Sequence, residues 1–376
     1  MARGGVQLSL MIGPAVPVPV SQDVLDALQS ARVTVNTAGP SGFQLTFTLD
    51  VNSPLHTIFM LSGGAALPLM RVVLAATFNG QTDVVIDGVV TSTQVSPGSD
   101  PGHATLTVTG EDLTRVMDYI DFSGFPFPGM PPEARVAVIL AKYAFLGIVP
   151  VIIPSILIDV PIPTNRIPRQ HGKDLEYVKK LADDVGYVFY ITPGPTPGLN
   201  FAYWGPQIKV GAPQPALNTN MDAASNVEAL SFEYDSQSAK LPIVLIHENM
   251  SKTIIPIPVP AVTPLNPPLG LVPPITLNIE PLRMSAKYSP VQAALIGVAK
   301  ASKAADVVKG RGSLDVVRYG RLLKARQLVG VRGVGPAFDG LYYVDSVTHE
   351  IKRGEYKQSF TLGRNGLLST LDKVPA

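Results

Sequence analysis

With 376 residues, 46% of them hydrophobic and only 16% charged, the chain is long enough for two to three domains with sizeable cores and too apolar for general disorder. A formal net charge of +1 excludes a global field steering it onto nucleic acid or an anionic membrane, so no stable binding to either is expected. The absence of cysteine removes disulfides, thiolate nucleophiles and thiolate metal sites together, and leaves the compartment open.

The N-terminal run MARGGVQLSLMIGPAVPVPV is interrupted by Pro14, Pro17 and Pro19 and lacks the cleavage pattern of a signal peptide. Ser21 caps a short predicted helix carrying Val24, Leu25 and Leu28. Phe43, Leu45, Phe47 and Leu49 alternate with polar residues as in a half-buried strand, paired with 32–37 across Gly39-Pro40-Ser41-Gly42. A helical segment is expected near 54–61, then strands near 69–78 and 82–95 joined at Asn79-Gly80, the sequence favoured by tight hairpins. His103–Thr109 closes this first β region.

Three helices and a strand are expected next. Thr109 to Asp112 caps a helix with Leu113, Val116, Met117 and Ile120 on one face; Pro131-Pro132 starts another with Val136, Ile139, Leu140 and Tyr143. A third runs from about Lys173 to Val185, with Leu175, Val178, Leu181 and Val185 on one side, ends at Gly186 and leads into a strand at 187–191. The second β region predicts strands near 227–235 and 241–248, a proline-rich excursion, a helix from Pro290 to about Val308, and strands near 322–332, 341–351 and 355–362. The excursion, Ile254 to Leu282, holds nine prolines, which a membrane helix would not tolerate, so the protein is expected to be soluble before assembly. It reads as an extended arm on a neighbouring subunit or as a docking peptide.

Both β regions follow the order two strands, a helix, three strands. Their final hairpins echo each other: DGVVTSTQVSPGSDPGHATLTVTG from Asp87 matches DGLYYVDSVTHEIKRGEYKQSFTLGR from Asp339 in its opening Asp-Gly and its returning β arm. An internal duplication is the reading this supports. The division expected is a first β-barrel over 1–110, an α/β insert over 111–225 and a second β-barrel over 226–376, with the excursion at 254–282. Three such chains would present six similar units around an axis.

RQHGKDLEYVKKLADDVGYVFYI, Arg169 to Ile191, resembles the helix-strand signature of phage late-control gene D proteins and of the hub portion of type VI secretion spike proteins. The Asp339 hairpin resembles the end of the second barrel in the same superfamily of baseplate hub proteins from contractile injection systems, and Asp87 through Leu113 the matching part of the first. This resemblance implies a mainly β (α+β) fold of two tube-protein-like antiparallel barrels with an inserted α/β region. It implies a structural, non-enzymatic homotrimer, pseudo-sixfold as a ring, adapting the hexameric inner tube to the trimeric spike. Other baseplate or wedge proteins would be its neighbours, in a virion or phage-like particle assembled in the bacterial cytoplasm. Because the sequence stops at Ala376, shortly after the last strand, a separate spike subunit is expected, and no lysozyme-like domain is evident. A secreted β-rich carbohydrate-binding protein or hydrolase is the alternative; it would need clustered carboxylates or an aromatic platform.

No catalytic, cofactor-binding or metal residues are assigned. His247-Glu248 lacks the second histidine of a zinc-protease helix. Asn218-x-Asn220-x-Asp222 imitates a calcium loop, but Ala223 and Ala229 stand where glycine and glutamate belong. Gly330, Gly333 and Gly335 are flanked by strands rather than by a helix, and Asp183-Asp184 sits at a helix C-terminus. No G-x-S-x-G elbow is present. Arg311, Arg318, Arg321, Lys324, Arg326 and Arg332 form a basic stretch. It is either a solvated strand face or a lumen or interface strip, and strand periodicity would put Lys324, Arg326 and Arg332 on one side.

Overall fold

The structure is a computed structural model that describes residues 5–50, 53–55, 58–59, 69–97, 104–155, 164, 167–237, 240–247, 254–258, 266–274, 278–282, 296–298, 301, 306–371 and 374. It is mainly β, dominated by one large, predominantly antiparallel sheet. Among the described residues no helix is long and apolar enough to cross a membrane.

The first half comprises β1 (Gln7–Pro14), β2 (Val18–Pro19), α1 (Gln22–Ala27), β3 (Leu28–Asn36), β4 (Gly42–Leu49), β5 (Met70–Phe78), β6 (Gln81–Pro97) and β7 (Ala104–Asp112). In β4 the alternation works as read: Phe43, Leu45, Phe47 and Leu49 are buried, each removal from water worth roughly 2 kcal/mol. Asn79 (φ 50°) and Gly80 (φ 78°) both take the left-handed conformation, so β5 and β6 join in a two-residue turn whose twist matches the strands. The N-terminal apolar run is itself a strand: β1 pairs with β5 from Gln7↔Thr77 to Pro14↔Met70. Its prolines do not prevent this, since Pro14 takes the last position of the ladder and Pro17 follows it. Ser21 flanks α1 as expected, but its side chain makes no capping bond; its carbonyl accepts from Val24 and Leu25 instead. Of the segment near 54–61, Leu55, Ile58 and Phe59 are helical, with Leu55 and Phe59 buried; the remainder lies largely outside the described residues.

The insert holds α2 (Pro132–Ala141), β8 (Ile148–Ile152), α3 (Asp174–Asp183), β9 (Val188–Pro193) and β10 (Asn200–Gly205), the strands forming a small sheet in the order β8-β10-β9. Its core joins Val136, Ile139 and Leu140 of α2, Val178 and Leu181 of α3, and Trp204 of β10, with Val89 of β6. The helix expected after Asp112 is only a 3-10 turn, Leu113–Asp118. Asp112 caps it by accepting from the Thr114 N–H at 3.0 Å, and Leu113, Val116 and Met117 are buried. The chain then leaves to bridge Asp121 with Lys173, so Ile120 is exposed rather than on the helix face.

The second half adds β11 (Gln214–Asn218), β12 (Ala229–Tyr234), β13 (Lys240–His247), β14 (Ile254–Pro258), β15 (Gly270–Val272), β16 (Asn278–Leu282), β17 (Val308–Asp315), α4 (Val316–Tyr319), β18 (Leu328–Arg332), β19 (Gly340–Lys352), β20 (Glu355–Arg364) and β21 (Leu367–Ser369). Three expectations change here. β13 does not join the large sheet; it forms a three-stranded sheet with β14 and β16, so the excursion supplies its own partners. Its place beside β12 goes to β17, in a stretch read only as basic, because Gly310 and Gly312 let Phe232 and Phe360 pack over that strand. Residues 320–327 are not strand: Gly320 (φ 85°) terminates α4, and the chain enters β18 only at Leu328. Of the helix expected at 290–308, residues 296–298 and 301 are helical and most of the rest lies outside the described residues.

The large sheet runs β12-β17-β20-β19-β3-β4-β7-β6-β5-β1-β2, with β18 on β19 and β11 on β18. It contains one pairing order twice: β3-β4-β7-β6-β5 in the first half and β12-β17-β20-β19-β18 in the second, every neighbour antiparallel. A sixth strand extends each run, β1 antiparallel and β11 parallel. The final hairpins, β6-β7 and β19-β20, occupy the same place in both runs. Each contains a one-residue register shift, at Val90/Ser92 and Val344/Ser346. The halves join where Ser346–Lys352 of β19 pair with Asn36–Ser30 of β3. Among the described residues no strand pair closes either run on itself.

Candidate functional site at the junction of the halves and the insert

Two groups of buried polar side chains lie where the halves meet the insert. Arg71, in the otherwise apolar β5, and Asp87, opening the outer half of β6, are both almost fully buried. The guanidinium donates through Nε and Nη2 to the two Asp87 carboxylate oxygens, each at 2.7 Å, and also to the Ala15 and Gly198 carbonyls. Asn200 of β10 donates to Asp87 Oδ2 at 2.8 Å. A bidentate pair with its remaining donors satisfied can be buried; either partner alone would be a stranded charge.

A second cluster lines a cleft of about 700 Å³ between the end of β3, β19 and the α3–β9 part of the insert. Asp345 is the extra residue at the β19 register shift, and its backbone carbonyl accepts from the Thr37 N–H at 2.9 Å and hydroxyl at 2.6 Å. Burial, followed by the charge of Asp306, pushes the Asp345 carboxyl up to about 6, while Lys209 and Lys309 pull the other way. Lys209 is buried and bonded to Asp306 at 2.6 Å. Arg326 lies alongside with φ 64° and its guanidinium 4.1 Å above the Tyr190 ring. Desolvation holds its affinity for the proton below the usual arginine value. Further along β19, His349 is buried against the Tyr356 hydroxyl at 2.8 Å, and burial lowers it to about 4, so it is neutral in the fold.

These groups tie the two halves and the insert together at their junction. Among the described residues no three histidine, aspartate or glutamate side chains are placed to hold a metal. The residues singled out from sequence are scattered. His247 ends β13 and Glu248 lies outside the described residues. Asn220 donates its amide to the Gly333 carbonyl at 3.1 Å, and the Asn218 backbone N–H donates to Asn226 Oδ1, a turn packed on the β18–β19 loop. Gly333 is needed there, at φ 88° and with a Cβ position 1.9 Å from the Thr219 carbonyl; Asp339 Oδ1 accepts from Val334 and Gly335 to close the loop. Asp183 is exposed at the end of α3 on the cleft wall near Lys179. The basic stretch does not share a face: Lys324 pairs with Asp83 at 2.7 Å, Arg326 stacks on Tyr190, and Arg318 donates to the Ser225 carbonyl. Trp204 is fully buried, edge-on to Tyr187, and offers no platform.

Comparison of the whole fold with solved structures finds phage tail proteins. The tail protein of Neisseria meningitidis aligns with TM-score 0.62 at 13% identity, covering 97% of this chain and 98% of that one. The 43 kDa tail protein of prophage MuSo2 from Shewanella oneidensis aligns at 0.61 and 14%, covering 96% and 99%. An Escherichia coli type VI secretion component, described as structurally similar to T4 bacteriophage tail proteins, aligns at 0.51 and 12%, covering 93% and 76%. No family model matches the sequence, and no curated protein matches it. The chain therefore has the fold of phage tail and type VI secretion proteins.

Proposed function

We propose that the protein is a non-enzymatic baseplate hub of a contractile tail or phage-like injection particle. As a homotrimer it adapts a hexameric inner tube to a trimeric spike. The carrying observation is the strand order used twice on one continuous sheet, β3-β4-β7-β6-β5 and β12-β17-β20-β19-β18. A chain with two like halves lets three copies offer six like units, which is what a threefold body needs to meet a sixfold one. In this reading 1–110 and 226–376 are the two tube-like units, curved into barrel form in the assembled ring, and 111–225 is the insert, whose last strand, β11, joins the second unit.

The low charge density fits a surface largely covered by neighbours, and the junction clusters fit a brace that keeps the halves at a fixed mutual angle. Light scattering and negative-stain microscopy, alone and after co-expression with the tube protein of the same particle, test the proposal. A threefold ring with six lobes that retains the tube protein supports it; a monomer in both preparations rejects it.

A further inference from the structure

The junction inside the chain specifies a second junction between chains. On β19 one edge carries β20; the other carries β18 at Gly340–Tyr343 and then β3 at Ser346–Lys352. The equivalent strand, β6, carries β7 on one edge and β5 on the other only as far as Val89. Among the described residues nothing lies on that second edge over Thr91–Pro97, where β3 would sit by analogy. The equivalent of β3 in the second half is β12, which pairs with β17 on one edge and, among the described residues, has no strand on the other. A chain that uses the β19–β3 pairing once therefore ends in the two halves of the same pairing, unmated.

Resting on the trimer reading above, we infer that β12 of one copy adds antiparallel to the Thr91–Pro97 edge of β6 in the next. The ladders fix the register. The two register shifts equate Ser92 with Ser346 and, four residues on, Ser96 with Glu350. Across the sheet, Thr109 pairs with Gln44 and Gln44 with Arg32; correspondingly Thr361 pairs with Arg311 and Arg311 with Ser231. Ser231 thus stands for Arg32. Within the chain Glu350 faces Arg32, so between chains Ser96 faces Ser231, with Val95 opposite Phe232 and Gln94 opposite Glu233.

Burial agrees. His349, the counterpart of Val95, and Val33, the counterpart of Phe232, are buried by the internal junction, whereas Val95 is 42% exposed and Phe232 only partly buried. Along β6 the residues from Thr91 to Val95 are all exposed, and in β12 most are. Bare strand edges of this kind are what proteins normally cover or blunt. Three copies mated this way close a ring through β3, β6, β12 and β19, with the β5-β1-β2 and β18-β11 arms branching from it.

The chain has no cysteine, so the pairing can be read by one engineered disulfide. Ser96→Cys with Ser231→Cys places two thiols across the proposed ladder on the face where Arg32 and Glu350 are exposed. Under mild oxidation, covalent dimers and trimers that stop at trimer, absent from either single variant, are expected. Val95→Glu, at a position exposed in the single chain, should shift the light-scattering mass from three chains toward one without changing the circular dichroism. A trimer that forms no cross-link and ignores Val95→Glu overturns the strand pairing and leaves the hub reading standing. A monomer that never cross-links, even with the tube protein present, overturns both.

Discussion

Replacing Asp345 by asparagine removes a charge that the fold holds at a cost. The carboxyl titrates at about 6 in the folded chain against 3.8 when exposed, a difference of about 2 units, and each unit is worth about 1.4 kcal/mol. A folded-state value above the unfolded one means that the native protein binds the proton more tightly. Its contribution is fully present below about pH 3.8 and is lost as pH rises through about 6. At pH 8 the ionised Asp345 should therefore cost up to about 3 kcal/mol, less what Lys209 and Lys309 return on relaxation. The amide keeps the shape and leaves the backbone carbonyl that holds Thr37 untouched. Asp345→Asn should be more stable at pH 8 by roughly 2 to 3 kcal/mol, about 3–4 °C in melting temperature for a chain of this length, and no different near pH 4. Melting temperatures of both proteins at half-unit steps from pH 4 to 8 read this directly. A stabilisation that does not change with pH, or a variant less stable at pH 8, would refute the account of this cleft.

His349 carries the opposite slope. Its folded value near 4 lies below the usual 6.5, so its contribution is present above pH 6.5 and lost as pH falls toward 4; in Asp345→Asn the acid loss should become steeper than in the parent, seen in the same melting series. Arg71→Met strands the buried Asp87 carboxylate and should cost about 3–5 kcal/mol by denaturant unfolding, with earlier proteolysis at the insert loop around Gly198. Gly333→Ala drives a methyl into the Thr219 carbonyl from a left-handed backbone and should lower stability by more than about 2 kcal/mol, with faster amide exchange in β11.

Local chemistry was readable where one rule acted alone. Phe43 to Leu49 alternated because one sheet face is buried, Asn79-Gly80 dictated its turn, and Pro132 opened α2 where a missing N–H is harmless. The two final hairpins are recognisable as a pair from their residues alone, and they occupy the same place in the two runs. What failed was assignment by order along the chain. An excursion with strands of its own separates β12 from β17, so counting strands equated the wrong members. β17 escaped because its Val308-Lys-Gly-Arg-Gly-Ser run lacks β-branched residues at the positions where neighbouring aromatic rings supply the packing. The junction clusters were less legible still. Arg71 is a cation in a largely apolar strand, but nothing local marks its partner, which lies 16 residues on, or the third member, Asn200, in another part of the chain. Asp345 gave no signal, since its environment is created by a register shift and by Asp306 and Lys209 from elsewhere.

The seam between β3 and β19 also sets a timetable. Thr34 and Thr348, whose hydroxyls meet at 3.1 Å across it, are 314 positions apart. At roughly 5–20 residues per second on the ribosome, β3 waits on the order of 15–60 s for its mate to be synthesised, with an unsatisfied row of backbone donors and acceptors toward the crowded cell. Nascent chains are thus most vulnerable to sticking together during that interval. Slowing translation downstream of β4 should lower the soluble yield, whereas co-expressing a β19–β20 fragment in trans should raise it.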